Sequence, residues 1–328
     1  MNNTKTLDFK PATDNLNSVL FDVQLVDLLT SSTGLFSGNS LDKIKVIDYN
    51  AVVNVKNREI LCVVSSQYHL ITNKQALELG KKAFVKLFPS VKESDLIPYK
   101  VISSSRKTFC HIDLVHNSVN FNVWEQDTWL PFIRITNSYN RTHKLSFELG
   151  FVRKLCLNGV IFDKKTVKVK YTHSKGQIPT EIIADISKLK SLEADFISQL
   201  SNLKRFHIAP KLVFPLVCKS LKLNWNFDSD NNPNLQKALE QYNDLKTLSK
   251  KLAKSYIEKE GQNAYAALNV ITDIVSHQDI YKNLPFFSIR INEYYHRISD
   301  WMRDFTVSAE KRDFEIDQYL GEFIQHLD

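Results

Sequence analysis

One change of period divides this chain and limits what it can build. Before Ile178-Pro179 the apolar residues tend to recur at every second position, as in KLSFELGF and VNFNVWE; after it they recur at every third and fourth. Strands gathered first and helices gathered after do not make alternating strand–helix–strand units. The pattern therefore predicts an α+β fold: a β-rich N-terminal half with an antiparallel sheet and one packed helix, then an α-helical C-terminal half. Three regions are expected: a flexible leader over 1–43, a β-rich domain over 44–177 and a helical region over 178–328 packed on it.

The punctuation supports this division. Two β-rich runs flank the polar turn Lys56-Asn57-Arg58 and predict a hairpin. Thr72 with Gln75 three residues on forms a capping box, opening a helix that runs to about Phe88 and is stopped by Pro89. Strands are expected through 97–135, then on both sides of SYNRT, and in VKVKYTH. Beyond Pro179, Ile182, Ile186, Leu189, Phe196, Leu200 and Leu203 mark a long helix. KLVFPLVCKSL is expected to be interrupted at Pro215, and further helices are expected over 235–259, 263–277, 288–307 and 314–326.

Several chemistries are left without support. Eight glycines are few for a Gly-rich nucleotide cradle, and no GxxxxGK[ST], GxSxG, HExxH or GxGxxG string occurs. Cys62, Cys110, Cys156 and Cys218 show no CxxC spacing and sit among apolar neighbours, as small buried hydrophobes of a reducing compartment do. No cofactor and no metal is expected. MNNTKTLDFK lacks the apolar core of a secretory signal, and no apolar run approaches the ~20 residues that span a bilayer. The expectation is a cytoplasmic protein without a membrane partner, in the host cytoplasm if a phage encodes it.

The net charge of +7 is unevenly placed. Residues 1–50 carry 4 basic and 6 acidic side chains and residues 301–328 carry 3 and 7, whereas Arg153–Lys254 holds 19 basic against 9 acidic. A basic centre between acidic ends suits a polyanion or an acidic protein surface, and equally suits solvated helix faces. The surplus begins inside Arg134–Gly159, the densest polar stretch on the chain. Arg134, Asn137, Ser138, Tyr139, Arg141 and Lys144 offer donors, guanidinium groups and an aromatic face for phosphates and a stacked base. The same stretch reads as a structural hairpin whose polar side chains satisfy backbone groups. Arg153, Lys154, Lys164, Lys165, Lys168 and Lys170 follow with only Asp163 among them. Such a basic row can track phosphates, or protect an edge strand from aggregation.

Two smaller groups complete the inventory. His111, Asp113 and His116 are the nearest approach to a metal-ligand set, although strand geometry puts His116 on the opposite face. Asn269, Thr272 and Asp273, with His277 one turn on, form a polar patch on an otherwise apolar helix. That patch is expected to be structural, holding the two halves together.

TNSYNRT at Thr136–Thr142, then Gly150-Phe151, Arg153, Cys156 and Asn158-Gly159, resembles the phage/plasmid-like family known as domain of unknown function 932. The later helix resembles that family too, with NVIT at Asn269–Thr272, so the likeness covers roughly 45–280. It departs at Asn140-Arg141, where the family more often has Asp-Gly. The resemblance implies an accessory of a mobile element and carries over no catalytic residue. Together with the basic centre, it leads to the expectation of a nucleic-acid-binding accessory protein in DNA replication or recombination. Single-stranded DNA is the favoured ligand, with binding or annealing as the activity and a homo-oligomer as the working form. Two alternatives stay open: a counter-defence or phage accessory protein that grips a host or phage protein, and a metal-dependent nuclease.

Overall fold

The structure, a computed structural model, describes residues 9–31, 43–125, 127–163, 167–169, 182–184, 186–225, 227, 234–277 and 291–327. It is an α+β fold with the strands first and most of the helices after them. The leading elements are α1 (Thr13–Asn17), β1 (Val23–Ser31), β2 (Lys43–Asn54), β3 (Ile60–Ser65) and α2 (Asn73–Leu87). Next come β4 (Ile97–Ser103), β5 (Phe109–Val115), β6 (Phe121–Trp124), β7 (Asp127–Ser138), β8 (Ser146–Arg153) and β9 (Gly159–Asp163). After β10 (Val167–Val169) and β11 (Ile182–Ala184), the helices are α3 (Ile186–Arg205), α4 (Val213–Leu221), α5 (Leu235–Glu260), α6 (Ala264–Ser276), α7 (Ile291–Ala309) and α8 (Ile316–Leu320).

The main sheet is antiparallel and ordered β4-β5-β7-β8-β9, with β6 added beside β7. Helix α2 covers one face: Ala76, Ala83, Phe84 and Leu87 pack on Ile112, Leu114, Ile133, Ile135 and Phe147. The other face lies under α7, where the Arg134 guanidinium sits 4.3 Å from the Tyr295 ring centroid, while Phe151 alternates onto the α2 side and stacks on Phe196 of α3 at 4.6 Å. With both faces covered, every residue of β5 is buried. This explains why its sequence alternates only loosely. At the crossing of β7, β8 and β9, the backbones approach too closely for a side chain on Gly150. An alanine Cβ there would sit 2.5 Å from the Val160 carbonyl oxygen and 2.4 Å from the Phe132 ring. Gly150→Ala is expected to cost about 1–3 kcal/mol. An unchanged urea midpoint would show that this crossing can relax.

A second sheet, β1-β2-β3, buries Val52, Leu61 and Val64 against Tyr139. Part of the leader is therefore built into the fold: α1 is helical, and β1 pairs with β2 from Val23↔Asn54 onward. Residues 1–8 and 32–42 lie outside the described residues. The Thr72 capping box forms as expected, with Gln75 N donating to Thr72 Oγ1 at 3.1 Å and Thr72 N donating to Gln75 Oε1 at 2.9 Å.

Three helix boundaries differ from the sequence reading. The long helix begins at Ile186, because Ile182–Ala184 pairs with Val167–Val169 in a two-stranded sheet. Apolar spacing cannot separate three strand residues from one helical turn. Pro215 lies inside α4 without breaking it. It occupies the first turn, where a backbone N–H has no partner to lose. The last predicted helix divides at Gly321, whose φ of 59° ends α8 before a 3₁₀ segment. No described helix is long and apolar enough to cross a membrane.

Candidate nucleic-acid interface

The β7–β8 connection is built from its own side chains. Ser138 Oγ donates to the His143 carbonyl at 2.6 Å and accepts from His143 N at 3.0 Å, closing the turn. Asn140 Oδ1 accepts from Thr142 N and Oγ1, while Arg141 takes the left-handed conformation with φ 62°. Asparagine–glycine-like strings favour this geometry; here an arginine tolerates it within a fully bonded turn. Tyr139 is wholly buried, and its hydroxyl accepts from Asn73 N, at the first turn of α2, at 3.0 Å. Asn137 Nδ2 donates to Ile71 O at 3.0 Å and to Asn73 Oδ1 at 2.8 Å. The Asn-Ser-Tyr string thus ties the turn to the start of α2 and satisfies one helix-end donor, the Asn73 N–H, that would otherwise lack a partner.

Between this turn and the β3–α2 loop lies a cleft of about 380 Å³. Its lining includes Gln67, Tyr68, His69, Ser138, Arg141, His143 and Lys144, and contains no carboxylate. Arg141 and Lys144 are exposed, whereas Tyr68, His69 and His143 are half-buried. Burial holds the His143 imidazole below the ordinary histidine value, opposed by the Glu148 carboxylate. At neutral pH the ring is therefore a neutral donor and acceptor, stacked on Phe109 with centroids 5.2 Å apart.

Of the residues singled out from sequence, this cleft gathers Asn137, Ser138, Arg141 and Lys144. It does not gather the others. Tyr139 packs at 6.0 Å from Phe21 and has no face open to a base. Arg153 and Lys154 stand at the far end of β8, roughly 23 Å away at the rise of a strand. Lys164, Lys165 and Lys170 lie outside the described residues, and of Lys168 only its strand register, opposite Ile183, is described. Tyr68 and His69 were missed. Their signal was the polar string SSQYH between a strand and the capping box, which reads as a plain connection.

Arg134 and Arg153 belong instead to two buried networks between the sheet and the helices. Arg134, fully buried, donates from Nε and Nη2 to the two Asp113 carboxylate oxygens, each at 2.7 Å. Its guanidinium lies 4.3 Å from the Tyr295 ring centroid and bonds Asn292 Oδ1 at 3.2 Å. Asn292 and His296 both reach Glu148, at 2.6 and 2.9 Å. Burial pushes the Glu148 carboxyl up, but His296, Asn292 and Arg134 outweigh it and hold the group below its ordinary range. Arg153 reaches Asp127 and Glu260 at 2.6 Å each and Asn269 Oδ1 at 2.9 Å. Asn158 Nδ2 donates to Tyr256 Oη and to the Asn269 carbonyl, both at 3.2 Å. His277 Nε2 lies 2.9 Å from the Cys156 carbonyl, and Tyr256 bonds Asp273 at 2.6 Å. Among the described residues, Thr272 bonds within its own helix, to Leu268 O at 2.8 Å and Asn269 O at 3.2 Å.

The suspected metal ligands are occupied in this way. Asp113 is paired with Arg134, His111 is fully buried with Nδ1 at 2.8 Å from Thr136 Oγ1, and His116 lies beyond the end of β5. Among the described residues, no three His, Cys, Asp or Glu side chains are placed to hold an ion. Burial, then the Arg134 charge, depresses His111 well below the ordinary histidine value. A depressed folded-state value means that the unfolded chain binds more protons, so stability falls as pH falls. The loss should begin near the unperturbed value of about 6.5 and continue downward, with Glu148 adding to it as pH falls through the ordinary carboxylate value of about 4.3. Urea midpoints at pH 7.5 and 5.5 should separate in the natural chain and approach each other in His111→Gln. Equal midpoints in the natural chain would contradict this assignment.

Residues 60–297 match the model of a family described as a domain of unknown function (DUF932). Comparison with curated proteins and with solved structures returns no match.

Proposed function

Since the chain belongs to the DUF932 family, over a span that takes in the main sheet and α2–α6, we propose that it is a nucleic-acid-binding accessory protein. The reading rests on the carboxylate-free cleft at the β7–β8 turn, where Arg141 and Lys144 stand exposed beside amide, hydroxyl, imidazole and phenol groups. Cations supply the sequence-independent attraction to phosphates, and half-buried Tyr68 is the phenol in the lining where Tyr139 is wholly buried. At about 380 Å³ the cleft suits a nucleotide or two of a single strand and is too small to enclose a duplex. Single-stranded DNA, a role in replication or recombination, and a cytoplasmic setting in a phage or plasmid host complete the proposal.

Anisotropy titrations of a labelled single strand at two salt concentrations test it. Binding should weaken steeply with salt. In Arg141→Ala/Lys144→Ala the slope of log K against log salt should shallow by about 1.4, at roughly 0.7 per lost single-strand phosphate contact. An unchanged affinity and slope would remove the cleft from consideration. The row Lys164, Lys165, Lys168 and Lys170, changed together to alanine, tests the second basic element in the same assay.

A different observation favours a protein partner as a second reading. On the outer face of the β1-β2-β3 sheet, Leu29, Ile47, Tyr49, Ile60 and Val63 are 46–80% exposed. Large apolar side chains grouped on one sheet face mark contact surfaces. The partner proposed is a second copy of the chain, which would make the protein an oligomer. Sedimentation should then show a dimer that Ile47→Glu/Val63→Glu dissolves; a monomer at every concentration would end this reading.

A further inference from the structure

A second small cavity lies away from that cleft, in the helical half. It measures about 110 Å³ and is lined by Pro210, Lys211, Val213, Phe214, Lys246, Ser249, Lys250 and His326. The first four belong to the opening of a continuous helical run, a 3₁₀ turn over Pro210–Leu212 leading into α4. The run presents its positive dipole end to the cavity. Lys246, Ser249 and Lys250 come from one face of α5, and His326 closes the space from the C-terminal 3₁₀ segment.

Three features point to an anion. The lining carries three lysines and no carboxylate. Lys246 is held over apolar rings, its Nζ 6.0 Å from the Phe214 centroid and 5.8 Å from that of Tyr242. Above all, Ser249 is fully buried, and its Oγ has no hydrogen-bond partner among the described residues. A buried hydroxyl left without a partner is costly, and a serine in a helix can ordinarily bond the carbonyl one turn back. Here it does not, although it lines a cavity surrounded by cations. His326 is fixed there by Tyr242, whose Oη lies 3.3 Å from Nδ1, with Glu322 as the acidic neighbour that acts on it.

We propose that this cavity binds a phosphoryl group, which takes the Ser249 hydroxyl as a donor and Lys211, Lys246 and Lys250 as counter-charges. Its volume admits a tetrahedral oxyanion and excludes a nucleoside, since pockets for larger ligands run to roughly 300–1,000 Å³. The group is therefore either free phosphate or a phosphate whose sugar and base stay outside. The inference stands apart from the proposed nucleic-acid cleft and shares no residue with it.

Calorimetric titration of the full chain with inorganic phosphate, in phosphate-free buffer, tests the site. Saturable binding of one phosphate per chain is expected, at least fivefold weaker in Ser249→Ala and at least tenfold weaker in Lys246→Met/Lys250→Met. Without phosphate, Ser249→Ala should be no less stable than the natural chain, so a binding loss there is not a folding loss. Arg141→Ala/Lys144→Ala should bind phosphate normally, which keeps this test independent of the cleft. A second arm compares 5′-phosphorylated with 5′-hydroxyl oligonucleotides. A preference for the phosphorylated end that disappears in Ser249→Ala assigns the site to a strand terminus, and phosphate binding without that preference assigns it to the free ion. Absence of binding by every probe, or binding unchanged in Ser249→Ala, overturns the proposal.

Discussion

Arg134→Met should destabilise the protein by about 3–5 kcal/mol, the cost of leaving one member of a buried ion pair without its partner. Arg134 and Asp113 have side chains only 0 and 1% exposed, so no water can replace the two hydrogen bonds that the carboxylate would lose. The loss would spread, because Asn292 links the guanidinium to Glu148 and His296 across the sheet–helix boundary. Arg134→Lys keeps the charge but not the two parallel bonds, and should recover only part of the stability. Asp113→Leu/Arg134→Met removes both charges together. It should lie much closer to the natural chain than either single variant, because two buried ions no longer need solvation. A urea series of the four proteins measures the coupling. Additive single and double effects would mean that the pair is not the source of the loss.

Arg153→Met should cost a similar amount, about 3–5 kcal/mol, for a related reason. Arg153 bridges Asp127, whose side chain is 6% exposed, and Glu260, which is 12% exposed. Tyr265 also donates its hydroxyl to Asp127, so part of that carboxylate's bonding would survive. The larger loss should be in docking, since Arg153 joins β8 to α5 through Glu260 and to α6 through Asn269. Protection of α6 amides from hydrogen exchange should therefore drop further than that of α2 amides, which lie on the other face of the sheet. Equal losses in the two helices would contradict a local anchoring role. Neither arginine is open to solvent, so nucleic-acid affinity measured on the folded fraction should stay unchanged in both variants.

The same two residues show what a sequence can carry. Arg134 and Arg153 stand in a polar stretch beside exposed Arg141 and Lys144, and nothing in their local spacing separates the two pairs. A buried arginine and a solvent-exposed one leave the same trace when the compensating carboxylates are distant. Asp113 lies 21 positions from Arg134, and Glu260 lies 107 from Arg153. The Asn-Ser-Tyr turn was legible as polar and bonded, but its partner, the first turn of α2, was not. His111 and Asp113 read as the nearest approach to a metal-ligand set because alternation reports strand geometry and not what covers the face.

What the sequence determined alone was local. Its period separated a mostly β half before residue 178 from a half that is helical after it except for β11, its capping box placed the start of α2, and its polar turn joined β2 to β3. These follow from bonds within a few residues. Tertiary structure decided which charges are structural and which remain free to bind. That outcome depends on where α6 and α7 lie against the sheet, and on carboxylates brought from far along the chain to neutralise Arg134 and Arg153 before water could. Burial of a charge is settled by solvation and by a partner's position, neither of which the spacing of nearby residues encodes.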